Sequence, residues 1–419
     1  MLKGVKSAFI QRGFLNSCLC FVLLFSSFLV NAQQESEQLN STRYYAGYND
    51  TVIFKSDVTY KGKKLPFIVG VWFPVTKVDS AQCLSIADFF EPFHSDSILS
   101  PGVNLMEQNL LKIVSGYFME SDFFIDYKDP SKKKLAAAQK IFQLKTNSFR
   151  SKFPDGNKFP CLVYHHGSGS NPFENNELFE LMAQNGYIVV SASYMLADST
   201  NQKLISNHTA EKSYAGDIEF ITGFVKSLAC VDTSKMVLIG HSWGAQASMQ
   251  YDYYSTQKSY RALISLQTTL EEVSVEEAAH WKYLDFIYNN ACENCTTPAY
   301  LFTSVSLRKR KSENTKEFEY RNVQPEYLPF KENKTTAYSF ITLNKILYHH
   351  QFVSAGHLRY HIASENEYKD IRELKEQYLY YLKLNETILF LCDRILQGKG
   401  VEVATFCKEQ NYSLEELNK

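Results

Sequence analysis

The pentapeptide Gly240-His-Ser-Trp-Gly244 holds a serine whose surroundings suit nucleophilic chemistry. A serine hydroxyl attacks poorly near neutral pH until a neighbouring base accepts its proton. The apolar run Met236-Val-Leu-Ile239 precedes the motif, and the small residues Ala245, Ala247 and Ser248 follow it. This pattern reads as strand, sharp turn and helix, with Ser242 at the turn. The glycines two residues to either side leave room where a side chain would clash, and the small residues let the helix approach the sheet. The plainer alternative is a glycine-rich turn closing a buried strand.

A base should follow the last strand, because in this arrangement the order along the chain is serine, acid, histidine. His357 meets that order, since Phe352-Val353-Ser-Ala-Gly-His357 reads as a strand end and a small-residue loop. His349 and His350 fall inside the expected strand from Ile346 to Val353, and His361 lies further downstream. The alternative for His357 is a surface histidine without a role. An oxyanion hole needs two backbone N–H groups aimed at the developing charge. Tyr164-His-His-Gly-Ser-Gly169 ends an expected strand, so the N–H of Ser168 or Gly169 is one expected donor and that of Trp243 the other.

The acid should follow one of the two strands between serine and base, to fix the imidazole tautomer and stabilise its cation. After Ala262 to Leu266 comes Gln267-Thr-Thr-Leu-Glu271-Glu272, and after Ala299 to Val305 no acid appears until Glu313. Glu271 is the first choice, Glu272 the second and Glu313 the third. Each of the three also reads as a solvated surface carboxylate.

The elements that must position these residues alternate from Phe159 onward. Expected strands are Pro160 to Tyr164, Tyr187 to Ala192, Met236 to Ile239, Ala262 to Leu266, Ala299 to Val305 and Ile346 to Val353. Expected helices are Glu174 to Asn185, Tyr214 to Leu228, one after Ser242, Glu276 to Tyr288 and Glu367 to Leu396. Strands alternating with crossover helices imply an α/β fold with a mostly parallel sheet and helices on both faces. Thr51 to Tyr60 and Leu65 to Val75 alternate apolar and polar residues about Lys61-Gly-Lys-Lys64 and predict an N-terminal antiparallel hairpin. Residues 84 to 150 carry helical apolar spacing and are expected to be a helical insertion within one domain spanning 33–419.

The 419 residues are 45% hydrophobic and 21% charged, enough for a large core. Lys3, Lys6 and Arg12 precede an apolar stretch from Phe14 to Val30, and Val30-Asn-Ala32 supplies small residues before the polar run from Gln33. Residues 1–32 therefore read as a secretory signal peptide cleaved after Ala32, leaving no stable membrane anchor and placing the protein in a periplasm or outside the cell. Cleavage takes the formal charge from -1 to -4, a balance with no nucleic-acid footprint. The basic run Arg308-Lys-Arg-Lys311 reads as a solvated loop. Seven cysteines remain, with Cys292 and Cys295 spaced for a local disulfide rather than for metal. Asn207-His-Thr209 and Asn385-Glu-Thr387 are sequons, relevant where the host glycosylates.

At these positions the chain resembles the secreted α/β-hydrolases of the platelet-activating-factor acetylhydrolase group and their bacterial dienelactone-hydrolase-like relatives. The resemblance rests on Leu65-Pro66 leading to Val71-Trp-Phe-Pro74, Lys158-Phe-Pro160 before Tyr164-His-His-Gly167, Asn185-Gly-Tyr-Ile-Val-Val190, Gly240-His-Ser-Trp-Gly244 and Ala355-Gly-His357. It implies the α/β-hydrolase fold and hydrolysis of short acyl esters without metal or cofactor. Ser242 would be nucleophile, His357 base, and the N–H groups of Ser168 and Trp243 the oxyanion donors. The family's aspartate position, directly after the strand that follows the nucleophile helix, is occupied by Gln267. An amide can orient an imidazole but cannot offset its charge, so Glu271 is expected to reach in from the same loop.

The expected protein is thus a secreted serine esterase acting on a small-molecule or lipid-like ester. From another class, a catalytically impaired relative would bind a ligand or partner in the same cleft, and a peptidase on the same scaffold is a third reading. Export of the full chain should yield a mature N-terminus at Gln33, read by mass spectrometry. An intact N-terminal hydrophobic segment in the exported protein would contradict the signal-peptide reading.

Overall fold

The central strands are apolar at both alternating positions, so the sheet has to be covered on both faces. A computed structural model of the chain describes residues 44–416, apart from 61–62, 79–81, 116–131, 195–196, 199–202, 205–211, 269–295, 305, 312–317, 324–337, 346, 364–370 and 399–402. The strands are β1 (Tyr45–Tyr60), β2 (Lys63–Val75), β3 (Ser148–Arg150), β4 (Phe159–His165), β5 (Ile188–Ala192), β6 (Ala197–Asp198) and β7 (Lys203–Leu204). They continue with β8 (Val231–His241), β9 (Ala262–Leu266), β10 (Ala299–Ser304), β11 (Ser306–Lys311), β12 (Phe318–Val323), β13 (Tyr338–Leu343) and β14 (Ser413–Glu416).

Ten of these strands form one sheet in the order β14-β13-β10-β9-β8-β4-β5-β2-β1-β3. The six neighbours from β13 to β5 are parallel, whereas β1 with β2, β2 with β5 and β13 with β14 pair antiparallel. This is the α/β-hydrolase fold. Alternation along the strands feeds two cores. Leu162 and Tyr164 of β4 pack with Val237 and Ile239 of β8 on one face, and Cys161 and Val163 pack with Met236 and Leu238 on the other.

The helices divide between the same faces. Short α1 (Glu91–His94), α2 (Ser100–Val114) and α3 (Lys132–Ala138) belong to the insertion, and α4 (Asn176–Gln184) follows β4. Next come α5 (Lys212–Ser227), α6 (Trp243–Tyr254), α7 (Leu358–Ile362), α8 (Ile371–Leu396) and α9 (Val403–Gln410). Phe89, Phe90, Val103, Met106 and Leu110 of the insertion share one core with Leu178 and Phe179 of α4 and with Leu384 and Ile388 of α8. Ile218, Ile221 and Val225 of α5 and Met249 and Tyr251 of α6 cover the opposite face.

The expected strand from Ile346 to Val353 is not one. The last parallel strand is β13, eight residues earlier, and His349–Phe352 forms a 3-10 turn in the loop beyond it. Tyr338-Ser-Phe-Ile-Thr-Leu343 supplies β-branched and aromatic residues, and Asn344 and Lys345 end it. The basic run Arg308 to Lys311 lies in β11, paired antiparallel with β12, rather than in a loop. Asn385 is buried within α8, so its sequon is closed in the folded chain. Asn207, the expected helix from Glu276 to Tyr288, the expected Cys292–Cys295 bridge and residues 1–43 with their signal sequence lie outside the described residues. Cys161, Cys230 and Cys392 are buried free thiols, and Cys407 is buried. Among the described residues, no helix is long and apolar enough to cross a membrane.

Two glycines test how tightly the helices seat on the sheet. A Cβ on Gly244 would fall 2.0 Å from the His165 carbonyl oxygen, whereas Gly223 in α5 has open space around it. Gly244→Ala should therefore lower stability by about 1–3 kcal/mol. Gly223→Ala should raise it by up to about 1 kcal/mol, since alanine restricts the unfolded chain. Thermal denaturation of the pair checks both signs.

Candidate active site

Ser242 stands between the last residue of β8 and the first of α6, with φ 53° and ψ -118°. A non-glycine residue in that region is strained and persists only where the surroundings enforce it. Here they do. The Ser242 N–H donates to Leu266 O at 3.0 Å, and its own carbonyl accepts from Ala245 N–H at 3.0 Å. A Cβ on Gly240 would fall 2.4 Å from the Gly244 carbonyl group, so the turn closes only with glycine there.

Among the described residues only Ser242, Gln267 and Asn411 are non-glycines with positive φ. Gln267, at φ 46°, directly follows β9, the strand beside β8, and its N–H donates to Phe302 O at 2.8 Å. Its side-chain oxygen accepts from His349 Nδ1 at 2.6 Å. An amide oxygen only accepts, so this bond puts the proton on Nδ1 and leaves Nε2 able to take another. The loop after β13 thus brings a histidine to the residue that follows β9, and that histidine is His349.

His357 sits elsewhere in its surroundings. It ends a 3-10 turn from Ser354, its Nε2–H donates to Gln351 O at 2.8 Å, and its ring stacks on Tyr381 of α8 with centroids 4.6 Å apart. Burial pushes its pKa down to about 4. No hydrogen bond or ring contact joins it to Ser242 among the described residues. Glu271, Glu272 and Glu313 lie outside the described residues.

The loop after β4 lies against Ser242. A Cβ on Gly167 would come within 3.4 Å of Ser242 Cβ and 2.9 Å of His241 Nδ1. The next residue, Ser168, is exposed. Trp243 opens α6, and the first N–H groups of a helix have no acceptor within it. Ser168 and Trp243 are therefore both at the edge where Ser242 is raised. His166 beneath the loop is held as a neutral ring: Nδ1–H donates to Gly167 O at 2.7 Å, and Nε2 accepts from Tyr194 N–H at 3.2 Å.

Two further residues join these segments. Glu174 is buried, and its Oε1 accepts from Tyr164 OH at 2.8 Å and from Gly167 N–H at 3.0 Å. The same oxygen lies 3.3 Å from His241 Nδ1, an oblique approach that does not make a regular hydrogen bond. His241 Nε2–H donates to His349 O at 3.0 Å, and the two rings pack 4.8 Å apart. Burial alone would raise the Glu174 carboxyl, but His241, His166 and Ser170 together outweigh it and hold the pKa at about 2. His350, packed against the same ring, is pushed down to about 3 by burial.

Glu174 and His241 carry no signal from spacing alone, although His241 stands inside the serine pentapeptide. His349 was open to a reading that ended the last strand at Leu343. Among the described residues no cluster of His, Cys, Asp or Glu could hold a metal ion.

No family model matches the chain, and no curated protein matches it. Among solved structures, a ferulic acid esterase from Streptomyces cinnamoneus is similar at 12% identity with a TM-score of 0.49. The match covers 87% of this chain and 93% of that one.

The Glu174 carboxyl gives the site an acid limit. Its folded pKa lies below the ordinary value of 4.5. The stability it contributes is therefore complete above about pH 4.5 and lost as pH falls through about 2, roughly 3 kcal/mol in all. Urea unfolding between pH 5 and 2 should show this loss, and Glu174→Gln should flatten the dependence. An equal slope in the variant would contradict it.

Proposed function

We propose that the chain is a serine esterase in which Ser242 is the nucleophile and His349 the base. The observation that carries this reading is the 2.6 Å bond from His349 Nδ1 to the Gln267 side chain, at the end of the strand whose Leu266 carbonyl holds the Ser242 N–H. Ser242 Oγ attacks the ester carbonyl carbon while its proton passes to His349 Nε2. The N–H groups of Ser168 and Trp243 receive the oxyanion. Collapse breaks the ester C–O bond, and the alcohol leaves with the proton from His349. Water, deprotonated by the same nitrogen, then releases the acid and restores Ser242.

Short acyl esters and a secreted location belong to this reading through the sequence resemblance and the expected signal peptide. In the structure Ser242 Oγ has no hydrogen-bond partner among the described residues, and catalytic bonds commonly tighten only with substrate present. Gln267 supports a second reading. A neutral amide leaves the imidazolium of the transition state uncompensated, as expected of a relative that binds a ligand without turning it over.

Hydrolysis of 4-nitrophenyl acetate and labelling by a fluorophosphonate separate the two. The esterase reading predicts turnover and labelling that vanish in Ser242→Ala. His349→Phe should lower kcat by about 100-fold or more, whereas His357→Phe should change it by less than about 10-fold. A larger loss in His357→Phe than in His349→Phe would return the base to His357. Neither turnover nor labelling in the native protein would favour the binding protein.

A further inference from the structure

Taking Ser242 and His349 as nucleophile and base, on which reading the inference rests, we infer that Glu174 is a positioning residue that acts through His241 to hold the base. Among the described residues around the nucleophile, Glu174 is the carboxylate on which the separate parts of the site converge. Through one oxygen it fixes Gly167 of the oxyanion loop and faces His241 beside the nucleophile, and through its carbonyl it accepts from Ala355 N–H at 2.9 Å and Ser354 Oγ at 2.9 Å. Those last two residues lie in the loop that carries His349.

The path to the base is short. His241 has an acceptor facing each ring nitrogen, the carboxylate at Nδ1 and the His349 carbonyl at Nε2. A carbonyl can only accept, so Nε2 carries the proton in the bond to His349 O, while Nδ1 faces the carboxylate at 3.3 Å. The ring thus spans the gap between the Glu174 carboxylate and the backbone of His349. His166 is locked neutral by its two backbone bonds, and burial keeps His350 neutral.

The consequence follows from Gln267. In a triad with a carboxylate, the third member both aims the imidazole and offsets its charge. Here the amide of Gln267 performs only the first task on the side chain, and the Glu174–His241 pair holds the main chain of the same residue from the other side. Partners of this kind, one bond behind a reacting group, commonly change activity about 10- to 100-fold when removed.

A double-mutant cycle on 4-nitrophenyl acetate hydrolysis tests this. Glu174→Gln should lower kcat about 10- to 100-fold and leave KM within about twofold, with Glu174→Asp recovering part of the loss. His241→Phe should cost a similar factor, and the double variant should be no worse than either single one, because both changes break one path. If Glu174→Gln does not fold by circular dichroism, Glu174→Asp and His241→Phe carry the same comparison. Unchanged kcat in either single variant, or losses that multiply in the double variant, would overturn the inference. A native protein without turnover would overturn the esterase reading itself, an outcome distinct from an active enzyme that tolerates Glu174→Gln.

Discussion

The site is organised by backbone strain that the sheet sustains. Ser242 and Gln267 both hold positive φ at the carboxyl ends of adjacent parallel strands. Left-handed backbone at a non-glycine residue costs on the order of 1–2 kcal/mol. Neither conformation would survive without the bonds that pin it, Ser242 N–H to Leu266 O and Gln267 N–H to Phe302 O. Each pin is a continuation of the parallel ladder by one residue. Ser242 and Gln267 are thus fixed by the same hydrogen-bonding register, which sets their separation before any side chain is considered.

Packing on the two faces of the sheet makes that register rigid. Gly240 and Gly244 let α6 close on β8 and on the end of β4, and the His165 carbonyl leaves no space for a methyl group at Gly244. On the other side of the site, Gly356 fits under the His350 carbonyl, where a Cβ would lie 2.0 Å away. This close approach folds the loop after β13 into two successive 3-10 turns and points His349 at Gln267 while His357 turns toward α8. Two histidines eight residues apart therefore end in different environments. One is hydrogen-bonded at the sheet edge, and the other is stacked on Tyr381 with its pKa depressed to about 4.

Much of this was legible in the sequence where the signal is local. The apolar run before Gly240 and the small residues after it specify strand, turn and helix, and the chain folds that way. The parallel sheet and its crossover helices follow from alternation of the same kind. The end of the last strand was not legible, because Leu347, Phe352 and Val353 are as apolar as a strand and are buried without being one. Read as a strand, they make His357 the first histidine beyond it, whereas the strand that forms ends at Leu343, before His349. Glu174 was hidden for a different reason. A carboxylate after a glycine loop looks solvated until the fold shows Tyr164, Gly167 and His241 converging on it.

The central claim is that Ser242 becomes acylated with His349 as its base, and the most direct measurement traps that intermediate. Mixing the protein with excess 4-nitrophenyl acetate and quenching in acid within the first turnover should release 4-nitrophenol in a stoichiometric burst. Peptide mass spectrometry should then place one acetyl group on Ser242, with its formation slowed in His349→Phe. Turnover without an acetyl group on Ser242, or acetylation at the same rate in His349→Phe, would contradict the account.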